Sequence, residues 1–239
     1  MTAILQPMGR LIVALDGPGS SGKSSVGAAA ALEVGYRFCD TGLLYRAVTW
    51  LAEARGVSVD DPEGLVGLVD DVQLATDKDG RLAGVLVDGV DHTADVRAPA
   101  VESAVSAVSA VPEVRAALLQ RQRDLSQDGA IVMAGRDIGT VVLPDADLKL
   151  YLDASVTERA RRRAEERGLD HDSPAAAAIL EALRRRDRLD ATRTVAPLRI
   201  APDARIITTD GNEFEETVAA VVGAIRDAEA RQAPEAARS

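Results

Sequence analysis

The residues whose types and spacing carry the most chemistry are Gly17-Pro18-Gly19-Ser20-Ser21-Gly22-Lys23-Ser24, which satisfy G-x-x-x-x-G-K-[ST]. In such a loop the backbone N–H groups surround a phosphate, and the N-terminus of the following helix adds positive potential. Lys23 is expected to reach the β- and γ-phosphates of a nucleoside triphosphate. The Ser24 hydroxyl is expected to ligate Mg²⁺, and Ser25 closes the loop. A second enzyme class competes for the same glycines, because Gly17, Gly19 and Gly22 also fit the dinucleotide fingerprint G-x-G-x-x-G. Asp40 even lies near the place of its ribose-binding acid, so an NAD-dependent oxidoreductase is a rival reading. That reading leaves Lys23-Ser24 without a purpose and offers no well-placed histidine as hydride-transfer acid. A GTP-dependent switch or binding module is a third reading. It needs an Asn-Lys-x-Asp motif, and the only asparagine, Asn212, is followed by Glu213.

Phosphate loops serve many chemistries, so the acceptor must be read elsewhere. Thr41 and Arg46 follow a short apolar run, and in parallel sheets ligands gather at the carboxyl ends of strands. Thr41 is expected to cap the next helix and Arg46 to project from its first turns. Arg136 and Asp137 sit side by side after another apolar run, between glycines, and suggest a ligand-facing loop; the plainer alternative is an ion pair holding a turn. Arg186, Asp190 and Arg193 stand at i, i+4 and i+7 on one helical face. They fit a phosphate-and-sugar grip, although spacing alone favours a salt-bridged solvent face among their charged neighbours. Arg159, Arg163 and Arg167 share another face and fit either a mobile lid delivering positive charge to a phosphoryl group or a helix neutralised by Glu158, Glu165 and Glu166.

The elements that must position these groups alternate. Residues 11–15, 36–39, 130–134, 148–152 and 205–209 read as strands. Residues 24–33, 43–54 and 213–228 read as helices, which together give an α/β fold with a parallel sheet covered on both faces. Residues 72–93 break the rhythm. Asp79-Gly80 and Asp88-Gly89 are hairpin signals, so an antiparallel meander is expected there. Two helices follow, over 98–109 and 112–126. The divisions expected are core over 1–60, an inserted antiparallel subdomain over 61–127, core over 128–154, a helical lid over 155–172, core over 173–228, and a disordered tail over 229–239.

Bulk properties narrow the classes. The 239 residues carry a net charge of −10, which repels a polyanion, so no nucleic-acid partner is expected. Of 28 basic side chains only Lys23, Lys78 and Lys149 are lysines; a GC-rich genome explains most of that bias. The single Cys39 excludes an internal disulfide, and His92 and His171 lie too far apart in sequence to suggest zinc. No apolar run approaches a membrane span. Residues 1–10 lack a charged-then-apolar leader pattern, so a cytoplasmic location with no membrane partner is expected, and because no unexplained apolar stripe stands out a monomer is expected.

Four stretches resemble bacterial-type cytidylate kinases: DGPGSSGKSS, DTGLLYRAVT, GRDIGTVVLPDADLKLYLDAS and RRRDRLDATRTVAPL. The last three are more specific than the phosphate loop, and the resemblance runs over residues 11–209. It implies a P-loop kinase fold with an enlarged monophosphate-binding insertion, ATP and Mg²⁺ as cofactors, and CMP or dCMP as acceptor. It also implies that Arg46, Arg136 and Arg193 hold the acceptor phosphate, and that Ser106, Arg115 and Asp137 read cytosine. Arg186 and Asp190 contact the sugar. Lid arginines Arg159 and Arg163 join Lys23 and Arg136 in catalysis. Thr41 stands where the family often has serine and keeps the hydroxyl. Transfer to a phosphate, already anionic, needs no general base, which agrees with the lack of a candidate histidine.

Overall fold

The computed structural model describes residues 11–236. Strand β1 (Ile12–Asp16) is apolar until its last residue. Its two faces feed two cores. Leu11, Val13 and Leu15 pack with the first and last helices, whereas Ala14 packs with Ile131, Met133 and Ile138 on the other side. A strand buried on both faces cannot alternate with polar residues, which is why this one reads as a continuous apolar run.

Helix α1 (Lys23–Val34) begins directly at the glycine loop and ends at Gly35, whose φ of 72° lets it close onto the carbonyls of Ala31 and Leu32. Next come β2 (Arg37–Asp40) and α2 (Gly42–Arg55). Helix α3 (Pro62–Gly67) was not expected from the sequence, yet its start is orthodox: Asp61 accepts a hydrogen bond from the Gly64 N–H at 2.9 Å and Pro62 opens the first turn.

The meander is β3 (Val72–Thr76), β4 (Arg81–Val87) and β5 (Val90–Asp91), turning at the two expected Asp-Gly pairs. Asp88 and Gly89 both have positive φ, 52° and 78°, as a tight primed turn demands. The meander does not form a sheet of its own. β4 pairs parallel with β2 through Phe38 and Cys39, so the sheet reads β3-β4-β2-β6-β1-β7-β8, and the short β5 pairs the far end of β4 on the same edge as β2. The pairs among β2, β6, β1, β7 and β8 are parallel, and only those between β3 and β4 and between β4 and β5 are antiparallel. The insertion expected over 61–127 therefore widens the main sheet, while its helices α4 (Pro99–Val108) and α5 (Pro112–Asp124) share a separate core with α2.

Strands β6 (Ile131–Gly135) and β7 (Leu148–Asp153) flank β1, joined by one π-helical turn over Ile138–Val142. Helices α6 (Val156–Glu166) and α7 (Pro174–Thr192) pack on each other through Ala160, Ala164, Ala176, Ile179 and Leu183. The expected lid boundary at 172 thus cuts across a shared core. After β8 (Arg205–Thr208), helix α8 (Phe214–Ala236) continues past residue 228 into the stretch expected to be a disordered tail. Glu229 accepts a hydrogen bond from the Tyr36 hydroxyl at 2.6 Å, and the Gln232 amide donates to Asp147 at 2.8 Å, which ties the extension down. The remainder of that tail lies outside the described residues, as do residues 1–10.

Candidate active site

The loop leaves β1 at Gly17, where a Cβ would stand 2.3 Å from the Leu152 carbonyl oxygen, so only glycine passes. Gly22 turns the chain into α1 with φ 87°. Lys23 is buried and folded back over the loop, donating to the Pro18 carbonyl at 2.6 Å and towards Ser21 Oγ at 3.5 Å. Burial pushes the Lys23 ammonium's pKa well down, and the nearby Arg136 adds to this. A cation held so among neutral partners is set to gain from an arriving phosphate. Ser24 Oγ donates to Asp40 Oδ2 at 2.5 Å. Asp40 Oδ1 accepts the Gly42 N–H at 3.0 Å, an Asx turn leading into α2. Thr41 occupies the expected N-cap position, but its hydroxyl goes to the Ala134 carbonyl at 3.0 Å rather than to the helix. Ser25 Oγ turns back onto the Gly22 carbonyl at 3.1 Å.

An open cleft of about 740 Å³ runs from this loop between α2, α4 and α7. Thr41, Arg46, Arg115, Arg136, Asp137, Arg186, Asp190 and Arg193 all line it. The solvent-face alternative for the α7 residues is therefore overturned; Arg193 itself stands one residue beyond the helix in extended conformation. Arg136 Nε donates to Asp190 at 2.7 Å, and its fork reaches the Gly17 carbonyl at 3.1 Å, joining loop to acceptor wall. Asp137 receives Arg115 on one oxygen and Arg193 on the other, the latter at 3.4 Å. Arg115 also lies over the Tyr45 ring, 5.4 Å from its centroid. Arg186 packs beside Gly19 with a buried Nε that lacks a partner; burial, then Arg136, pushes its pKa down to about 10. Ser106 is not in this cleft. It faces a neighbouring cavity of about 350 Å³, and Ser109 one turn on lines the cleft instead, its carbonyl holding Arg115 at 3.1 Å.

The two lid arginines part company. Arg163 lines the cleft and donates to Glu102 at 2.5 Å. Arg159 is buried, with Nε on the Ala154 carbonyl at 3.0 Å, one arm on the Gly19 carbonyl at 2.9 Å and both arms on Asp187. Its guanidinium is committed to the loop backbone and α7, which corrects the expectation that it faces the transferring group as Arg163 does. Three further residues escaped sequence reasoning. Asp16 accepts the Ile138 and Gly139 N–H groups at 2.8 and 2.7 Å and so pins the turn behind Arg136-Asp137. A charge closing an apolar run was its only signal. Asp187 and Glu102 carried none, because their partners lie far along the chain.

A mostly parallel sheet with a glycine loop at the carboxyl end of β1, a buried loop lysine and a facing wall of arginines defines a P-loop phosphotransferase. The family described as cytidylate kinase matches residues 13–227. The cytidylate kinase of Nocardia farcinica (strain IFM 10152) is 44% identical over 209 residues, covering 87% of this chain and 90% of that protein. The bifunctional pantoate ligase/cytidylate kinase of Synechococcus sp. (strain RCC307) is 45% identical over 225 residues, covering 92% of this chain; the chain spans only 44% of that longer protein. An uncharacterized protein from Eubacterium ventriosum ATCC 27560 superposes with a TM-score of 0.50 at 12% identity, over 92% of this chain and 99% of that one, a likeness of fold alone. The chain belongs to the cytidylate kinase family. That excludes the oxidoreductase and GTP-switch readings.

Proposed function

We propose that this chain transfers the γ-phosphoryl group of ATP to CMP or dCMP, giving ADP and CDP or dCDP. One observation carries the reading beyond family membership: a single cleft joins the phosphate loop to a wall of arginines interleaved with carboxylates. Two anions must approach within bonding distance, so the chemistry needs counter-charge and positioning more than proton transfer. Lys23 and Arg136 supply that charge at the seam, and Arg163 supplies it from the lid. Arg46, Arg136 and Arg193 hold the acceptor phosphate. Asp190 and Arg186 take the sugar. Asp137 accepts the cytosine amino group, with Arg115 donating to the base's acceptors and Ser109, rather than Ser106, at the cleft wall.

The oxygen donors near the loop fit Mg²⁺. Ser24 offers a hydroxyl with the Asp40 carboxylate directly behind it, and a small hard cation bound largely through phosphates and water needs few protein ligands. When bound, the ion neutralises charge on the β- and γ-phosphates. We extend the proposal to a monomeric cytoplasmic enzyme. The monomer rests on the large exposed apolar side chains Leu32, Val59, Val90, Leu189, Val195, Ile200, Ile206 and Phe214 being spread along the described chain rather than falling in one run. A coupled ADP-release assay against a panel of nucleoside monophosphates tests the activity. CMP- or dCMP-dependent release is expected, and a lack of acceptor-dependent release with every monophosphate in the panel would overturn the reading.

A further inference from the structure

Glu102 is the only carboxylate of α4, and it stands in the cleft among arginines from three elements. Arg163 of α6 donates to both its oxygens at 2.5 Å. Arg167 reaches it at 3.3 Å and Arg186 of α7 lies at 3.9 Å. Burial raises the pKa of the Glu102 carboxyl, but Arg163 and then Arg46 outweigh it and hold the group below the usual range. Neither partner is sealed from water: the Glu102 and Arg163 side chains keep 25% and 28% of their exposure. A guanidinium fork recognises carboxylate and phosphate oxygens by the same geometry. An entering dianion therefore competes with Glu102 for the same donors.

Building on the kinase reading above, we propose that Glu102 is a positioning residue. It stands in for a nucleotide phosphate, holds Arg163, Arg167 and Arg186 together across the cleft, and yields them when phosphate enters. The acceptor side and the lid are thereby kept in register before either nucleotide binds. The cost is that nucleotide phosphates bind against an internal competitor, which also speeds product release.

Glu102→Gln keeps the shape and removes the charge. The measurements are KM and kcat for ATP with CMP, and calorimetric binding of inorganic tripolyphosphate. The expected result is that KM and kcat fall together, each by about three- to tenfold, while tripolyphosphate binds tighter by a similar factor, since each ion pair of this exposure is weak on its own. A strut that merely braces α4 against α6 predicts the reverse, a higher KM with no gain in tripolyphosphate affinity, and that result overturns the proposal, as does no change. Should the Gln variant fail to fold, Glu102→Asp retracts the charge by one methylene and must shift the same quantities in the same direction by less. Unchanged or weaker tripolyphosphate binding then overturns it. Wild-type protein without acceptor-dependent ADP release would sink the kinase reading, while the tripolyphosphate comparison would still report on Glu102.

Discussion

The two walls of the cleft solve one problem in different ways. On the donor wall the charge is left wanting: Lys23 is buried against a carbonyl and a hydroxyl, and the loop around it is backbone N–H and glycine. On the acceptor wall three arginines already have anions, Arg115 and Arg193 on Asp137 and Arg136 on Asp190, and the lid's Arg163 has Glu102. A donor site that grips the phosphates common to all triphosphates is served by a fixed cradle. An acceptor site that must tell one base from another holds its cations in register with carboxylates, which double as recognition groups. The first wall should thus be sensitive to charge in turnover. The second should be sensitive in specificity and in stability together.

Removing the donor charge is the sharpest way to break the contrast. Lys23→Ala should lower kcat by about 10³-fold or more with the fold retained, because the lysine's contribution is to phosphate charge. Near-normal turnover in a variant with an unchanged melting transition would rule the role out. A milder probe follows from the depressed pKa of Lys23: nucleotide binding should restore its proton affinity. Calorimetry in buffers of differing ionisation enthalpy should show proton uptake on ATP binding, growing towards alkaline pH, and Lys23→Ala should abolish it.

On the acceptor wall, Asp137→Ala should do two things at once. It strands two buried guanidiniums, so stability should fall by about 3 kcal/mol in urea titration. It also removes the acceptor for the cytosine amino group, so kcat/KM for CMP should fall much more than for UMP. Equal losses for both nucleotides would mean that Asp137 only positions Arg115 and Arg193. Arg193→Ala should weaken CMP and dCMP alike, whereas Asp190→Ala should penalise sugar recognition and loosen Arg136. An unchanged kcat/KM for CMP in Arg193→Ala would remove that arginine from the site.

The same contrast explains what the sequence could reveal. The donor loop is eight consecutive residues between a strand and a helix, so its motif and its context were both legible. The α/β alternation was legible too, because the central strands β1 and β6 are apolar runs. The acceptor wall is made of pairs such as Arg136 with Asp190, 54 residues apart, which no local spacing discloses. Helical periodicity placed Arg159 and Arg163 on one face but could not say that Gly19 and Asp187 claim the first of them. Nor could it choose between Ser106 and Ser109, one turn apart, or show that β4 would join the main sheet at Phe38 and Cys39.

The smallest expected effect lies at the joint between the walls. Asp16 ends β1 under the phosphate loop, and its two oxygens accept the N–H groups that hold the turn behind Arg136-Asp137. Burial raises its pKa from 3.8 to about 6, even though those amides pull it down. Between these values the folded chain holds a proton that the unfolded chain has released. The Asp16 contribution to stability is therefore greatest below pH 4 and is lost as pH rises to about 6, a change of roughly 3 kcal/mol. Activity should run the other way. A protonated Asp16 has one acceptor fewer for the turn, worth about 1 kcal/mol, so kcat/KM should fall about fivefold as pH drops through 6. The acceptor phosphate itself titrates near pH 6, so the wild-type profile alone decides nothing. Asp16→Asn keeps the phosphate titration and lacks the carboxyl. Its kcat/KM should be low throughout and follow the phosphate alone, and its stability should lose the slope between pH 4 and 6. If wild type and Asp16→Asn gave parallel profiles in both measurements, Asp16 would be a buried cap with no hold on the acceptor wall. The two walls would then be coupled without it, through the Arg136 bridge to Gly17 and Asp190 and the Arg159 bridge to Gly19 and Asp187.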